Sequence, residues 1–262
     1  MPGHTPDSAA KRSTLTASVC MATYNGAKYL MPQLESILTQ LRPDDELVIV
    51  DDASTDGTVE LLESVDDARI TVVRNERNLG YVKTFERAMS LASRDVLLLS
   101  DQDDLWTDGR LEALVSAASA GGVVASNLLL LGSETPLRSP LTGKPWLLSH
   151  TDDGRTLRNE LRLLAGNAPY FGCALAIRRE ALDLLLPFPE FLYESHDLWI
   201  VTAANTAGSL RHIDRATVLR RIHEDNASAE RPRSILAALT SRVLLIRLWC
   251  EATRRVMLRR RS

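Results

Sequence analysis

The chain has 262 residues, 45% of them hydrophobic and 25% charged, with a formal charge of -3. This is the make-up of one folded domain with a sizeable core, and it excludes a disordered or low-complexity chain. Cys20, Cys173 and Cys250 stand far apart without CxxC spacing, which excludes a disulfide framework and a structural zinc site and points to a reducing compartment.

In chain order, the first segment, "MPGHTPDSAAKRST", has no apolar stretch to serve as a signal peptide, and residues 1–15 are expected to be disordered. Apolar strand-like runs follow at regular intervals: "ASVCMA" near Val19, "ELVIV" at Glu46 to Val50, "ITVV" at Ile70 to Val73 and "DVLLL" at Asp95 to Leu99. Helix-like stretches lie between them, "YLMPQLESILTQ", "TVELLES" and "YVKTFERAMSLAS". Such alternation predicts an α/β fold with a mostly parallel sheet covered on both faces. "GGVVASNLLLL" reads as a fifth strand, and a loop rich in Pro leads to a helix around "RTLRNELRLLAG". Beyond it "GCALAIRR" is strand-like, "REALDLLL" is a helix stopped by Pro187, "HDLWIVTAANTAG" is a buried helix ended by Gly208, and "ATVLRRIH" is a last strand. Nowhere do about 18 apolar residues run uninterrupted as a membrane span requires, so the expected location is the cytoplasm.

From Asp52, "DASTDGTVELLE" fits a calcium loop, with Glu63 in the twelfth position. A calcium hand needs an entering helix, and the residues before Asp51 are the strand-like "LVIV", so the calcium reading is rejected. In an open α/β sheet ligands bind outside the carboxyl ends of the strands. There the first strand ends in "TYNG", the second in "DDASTDGT" and the fourth in "SDQDD", which gathers Thr23, Tyr24, Asn25, Asp51, Asp52, Asp101 and Asp103 around one crevice. Taken singly these residues also suit turns and helix caps; taken together they favour a site. Neither GxGxxG nor GxxxxGK[ST] is present, so a phosphate ligand needs another counter-charge. The paired carboxylates of "DQDD" supply it through Mg²⁺ or Mn²⁺ bridging a diphosphate.

With "TYNG", "VDDASTDGT" and "SDQDDLW" in this order, the chain resembles family 2 glycosyltransferases of the GT-A fold, especially their rhamnosyltransferase-like branch. The resemblance spans roughly Ser18 to Ser228, with "GCALAIRRE", "HDLWI" and "RIHEDNAS" adding weaker support. It implies a GT-A type, Rossmann-like, mostly parallel sheet flanked by helices, with a helical tail. Residues 16–230 would form the transferase domain, divided into a nucleotide-binding half, 16–105, and an acceptor half, 106–230. Asp51 and Asp52 would hold base and ribose, with Thr23, Tyr24 and Asn25 beside them. In the DxD element, Asp103 is expected to bind the metal and Asp101 to reach the ribose or the metal's waters, while Asp104 is passed over. Asp197 in "ESHDLW" is the expected base for the acceptor hydroxyl, with Glu194 as fallback; His196 either orients that carboxylate or packs. In "LRRIHEDN" a strand alternation places Arg221 and His223 on one face and Arg220 on the other, so Arg221 and His223 are assigned to the diphosphate, His223 also to the metal. Weaker candidates are Asn78 and Lys83 near the sugar, and Tyr170, Phe171 and Gly172 on the acceptor side.

The resemblance therefore implies an inverting, metal-dependent hexosyltransferase. It would move a sugar, with dTDP-rhamnose the favoured donor, from a dTDP- or UDP-sugar to a hydroxyl of a bacterial surface glycan or lipid-linked acceptor. A nucleotidyltransferase and a catalytically silent sugar-nucleotide-binding protein are the alternatives. Residues 231–262 are expected to form a basic amphipathic helix: Ser241 to Ser262 carries seven arginines and one glutamate, a charge of +6 that leaves -9 on the rest of the chain. Two readings of that helix stay open, contact with the inner face of the cell membrane and packing on the domain. Nucleic acid is not an expected partner, since basic charge is confined to the tail.

Overall fold

The structure is a computed structural model that describes residues 15–223 and 235–260. The expected disorder of residues 1–15 falls, but for Leu15, outside the described residues, as does the "EDNAS" part of the C-terminal motif.

The elements run β1 (Ala17–Thr23), α1 (Ala27–Leu38), β2 (Glu46–Asp51), α2 (Thr58–Glu63), β3 (Ile70–Arg74), α3 (Tyr81–Leu91), β4 (Val96–Ser100), β5 (Leu105–Trp106), α4 (Arg110–Ala118) and β6 (Val123–Leu130). They continue with α5 (Thr156–Leu164), β7 (Leu175–Arg178), α6 (Leu182–Leu185), α7 (His196–Thr206), β8 (Leu210–Arg220) and α8 (Ile235–Arg259). The strands form one sheet in the order β3-β2-β1-β4-β7-β6-β8-β5. β1 pairs in parallel with β2 and β4, β2 with β3, and β6 with β8, whereas β7 and β5 run antiparallel to their neighbours. The mostly parallel sheet is thus present, with two reversed strands.

The apolar runs of β1, β2 and β4 are buried on both faces because helices cover both sides, as parallel strands require. Alternate side chains divide between two cores. Cys20, Val50, Leu97 and Leu99 face the layer of α3, α7 and α8; Val19, Met21, Ile49 and Leu98 face α1 and α4. On the first side α8 inserts Leu244, Leu245, Leu248 and Ala252 into the core, so the packed reading of the tail holds for that face.

Two differences from the sequence reading matter. α4 and β5 went unpredicted between the fourth and fifth strands. β8 ends at Arg220, so Arg221 and His223 lie beyond the strand and its alternation does not fix their direction. As expected, the calcium-like loop leaves β2 as a strand end; Asp51 at that end accepts from Ser54, and Asp56 within the loop accepts from Thr58 and the Ala27 amide.

Candidate active site

At the carboxyl ends of β1, β2 and β4 a cavity of about 430 Å³ opens. Thr23, Tyr24, Asp52, Asp101, Asp103, Asp104, Asp197 and Arg220 line it, together with Gly80, Gln102, Phe171 and Gly172.

The β1 and β2 ends form the first wall. Asp52 is almost fully buried and accepts from the Leu79 and Gly80 amides, both at 2.8 Å, and from Asn75 Nδ2 at 2.7 Å. These donors draw the loop before α3 against the strand ends; Gly80, with φ +83°, has the conformation glycine tolerates best. Asp51, fully buried beside it, accepts from Thr23 Oγ1 at 3.0 Å and from Ser54, and does not line the cavity. Asn25, at φ +47°, is likewise occupied in the loop: its amide donates to Ser54 Oγ and its side chain accepts from the Thr55 amide. Tyr24 is held by Gln102, whose side-chain amide bonds both the Tyr24 N–H (2.9 Å) and C=O (3.0 Å). A Cβ on Gly26 would fall 2.1 Å from Gln102 Oε1, so this clamp between the β1 and β4 ends requires glycine there.

The acid loop after β4 forms the floor. Oxygens of Asp101 and Asp104 lie within 4.8 Å of one another and of Cys173 Sγ. Burial, reinforced by the mutual repulsion of the loop carboxylates, raises the pKa of both Asp101 and Asp104 well above the ordinary carboxylate range. Beneath them Arg110 is fully buried. Its guanidinium stacks on Trp106 and donates to Leu99 O, Cys173 O and Thr217 Oγ1, tying β4, the turn before β7 and β8 together under the acids. Two carboxylates crowded in a buried place suit a hard divalent cation, and the donors fit Mg²⁺ or Mn²⁺. The Cys173 thiol, kept protonated by burial, donates to Asp104 and is the wrong ligand for such an ion.

Asp103, the expected metal ligand, accepts from His223 Nε2 at 2.8 Å. Arg221 reaches the same loop, its amide donating to Asp104 Oδ1 and its Nε to the Asp103 carbonyl, both at 2.9 Å. Both Arg221 and His223 stack on Tyr29 of α1. They brace the acid loop without lining the cavity, and Arg220, which the sequence reading turned away, is the one arginine among the described residues that lines it. Its guanidinium lies over the Phe171 ring at 4.9 Å and its charge lowers the pKa of Asp101, Asp104 and Asp197 against the larger effect of burial.

Asp197 stands across from the acid loop in the first turn of α7, where the helix dipole favours an anion. It accepts from the Leu198 amide at 2.8 Å. Burial nevertheless pushes its pKa up to about 6, a value suited to a base working near neutrality. Ser195 before it is left-handed, φ +59°, and its amide donates to Tyr81 Oη at 3.0 Å. Strain of this kind at a non-glycine residue collects at functional sites. His196 packs between Phe85, Tyr81 and Phe188 and burial holds it neutral, its pKa lowered to about 3. It therefore acts as an aromatic wedge beneath Asp197, and a Cβ on Gly172 would meet its Nε2 at 2.9 Å. Glu194, Asn78 and Phe171 line the cavity; Lys83 and Tyr170 do not, Lys83 pairing with Glu86 and Tyr170 bonding His212. Gln102, Arg110 and Arg220 are residues that sequence reasoning missed, and Asp104, which it passed over, stands in the acid cluster with Asp101.

An open sheet with an acid loop at its central strand ends has the GT-A architecture, and solved structures share it. Residues 1–349 of S. aureus TarS in complex with UDP-GlcNAc align with a TM-score of 0.66 at 21% identity, over 88% of this chain and 66% of that one. Residues 18–186 match the glycosyl transferase family 2 domain, and the chain belongs to that family. Among its relatives are the glycosyltransferase alr2836 of Nostoc, 26% identical over 80% of this chain and 65% of its own length, and the dTDP-rhamnosyl transferase RfbG of Shigella flexneri, 28% identical over 79% and 72%. The chain thus spans just under two thirds of the Nostoc relative.

Proposed function

We propose that this chain transfers one sugar, with inversion, from a dTDP- or UDP-sugar to a hydroxyl of a bacterial surface glycan or lipid-linked acceptor, dTDP-rhamnose being the favoured donor. The observation that carries this reading is the meeting in one cavity of Asp52, an acid loop fit for a divalent cation, Arg220, and a separate carboxylate of raised pKa, Asp197. RfbG, by its name, uses a dTDP-sugar, and TarS was captured with UDP-GlcNAc; both support a nucleotide-sugar donor here.

In this reading Thr23, Tyr24 and Asp52 hold the nucleoside, while Asp51 and Asn25 shape the loop that presents them. Asp101, Asp103 and Asp104 hold Mg²⁺ or Mn²⁺, which neutralises the donor's diphosphate when bound. Arg220 adds fixed positive charge where negative charge grows on the leaving group. Arg221 and His223 serve the diphosphate indirectly, by holding Asp103 and Asp104 in place. Asp197 accepts the proton of the acceptor hydroxyl as its oxygen attacks the anomeric carbon from the face opposite the departing diphosphate. The nucleoside diphosphate then leaves.

The test is release of nucleoside diphosphate from a panel of dTDP- and UDP-sugars, with and without Mn²⁺, for the native chain and Asp197→Asn. Metal-dependent release lowered about 10²- to 10⁴-fold by the substitution, with donor binding retained, is the expected result. Donor binding without turnover would favour the silent binding protein, and pyrophosphate release from a nucleoside triphosphate would favour the nucleotidyltransferase.

A further inference from the structure

Helix α8 has two apolar faces. One is buried in the body through Leu244, Leu245, Leu248 and Ala252. On the opposite face Leu239, Val243, Ile246, Cys250 and Met257 are all exposed. At 100° per residue these five fall within a sector about 60° wide, centred opposite the buried residues. Arg242 and Arg260 border the stripe on one side, Arg247 and Arg254 on the other. Glu251, the helix's one acid, is spent on Arg254 and Arg255 at 2.7 and 2.8 Å. The apolar surface continues past the helix: Gly166 lies against Arg242, and beside it Leu141, Leu157 and Leu161 edge a shallow groove.

We infer that this face of α8 is the docking surface for an anionic lipid bilayer, with the stripe set among the acyl chains and the flanking arginines among the headgroups. Charge selects this occupant. An apolar stripe between two rows of arginine matches an apolar layer beneath negative headgroups. Pairing two copies stripe to stripe would instead set arginine against arginine. The rest of the chain carries a formal -9, so net repulsion of the body by an anionic surface favours contact through the arginine-flanked face of α8. No described helix is long and apolar enough to cross a membrane, so the attachment lies in the plane of the surface. Arg247 also covers the Phe191 ring at 4.0 Å, which links the stripe to the segment leading to Glu194 and Asp197 at the cavity.

Cys250 supplies the reporter, because Cys20 and Cys173 are buried while Cys250 is exposed within the stripe. The full chain labelled at Cys250 with an environment-sensitive fluorophore is mixed with vesicles of phosphatidylglycerol and phosphatidylcholine in equal parts, or of phosphatidylcholine alone. A blue shift with the anionic vesicles, reversed by high salt, is expected. Arg254→Gln with Arg260→Gln should weaken binding about 25-fold, at about fivefold per arginine. Val243→Asp with Ile246→Asp should abolish it while leaving the melting midpoint unchanged, since both side chains are exposed. Absence of a shift, or an equal shift on neutral vesicles, would overturn the inference. So would a dimer by sedimentation that Val243→Asp dissociates, which would give the face to a second copy. No sugar nucleotide enters the assay, so its outcome is independent of the transferase reading.

Discussion

Arg220 and Arg221 are adjacent, yet one faces the cavity over Phe171 while the other turns outward to Tyr29 and the acid loop's backbone. The two should therefore fail differently. Arg220→Gln should lower kcat/KM about 10²-fold or more, as removal of one preorganised donor does, with metal affinity little changed. Arg221→Gln should first weaken Mn²⁺ binding, read by titration calorimetry, because it frees the loop that carries Asp103 and Asp104. For Asp197, folded pKa about 6, the active form is the carboxylate, so kcat/KM should rise with pH through about 6 and level above it; a profile flat from pH 5 to 7 would remove Asp197 as the base. Asp52, Asp101, Asp103 and Asp197 were legible as residues because each sits where a strand or loop hands over to a helix or turn. Arg220 was not, since its direction depends on where β8 stops, and pairing with β5 and β6 decides that rather than local pattern. Asp51 and Asp52 are equal in sequence, and only the surrounding donors show that one is consumed internally while the other meets the cavity.

The strands covered on both faces were the most legible elements. β1, β2 and β4 are continuous apolar runs because both faces are covered, and such runs survive any reading frame of periodicity. α4 escaped notice because "GRLEALVSAASA" is short and rich in Ala and Ser. β5 has two residues and exists through its pairing with Val218 and Leu219. α8 was read as amphipathic, but one polar and one apolar face were expected, whereas two apolar faces are present. Its inner face is structural: Leu248→Ala should cost about 2–5 kcal/mol of unfolding free energy, whereas Ile246→Ala on the outer face should stay within about 0.5 kcal/mol. Urea unfolding of the two variants checks the contrast.

At the scale of the whole molecule, the site is held together against its own charge. Asp104 is buried and Asp101 and Asp197 are half-buried, all three with raised pKa values, and Glu160, bonded to Asn205, is raised to about 7 by burial. Such carboxyls favour folding while protonated, so their contribution is present below their unfolded pKa and is lost as pH rises through the folded values. In metal-free solution stability should fall between about pH 4 and pH 8 on this account, and Mn²⁺ should restore it more at pH 8 than at pH 5, as differential scanning calorimetry can show. The measurement that tests the central claim most directly is thermal stabilisation by dTDP- and UDP-sugars, with and without Mn²⁺, in the native chain and Asp103→Ala. A ligand that binds the folded chain raises the midpoint by mass action. The account predicts a shift with a nucleotide sugar that requires Mn²⁺ and disappears in Asp103→Ala. Stabilisation that ignores both the metal and Asp103, or none with any nucleotide sugar, would contradict it.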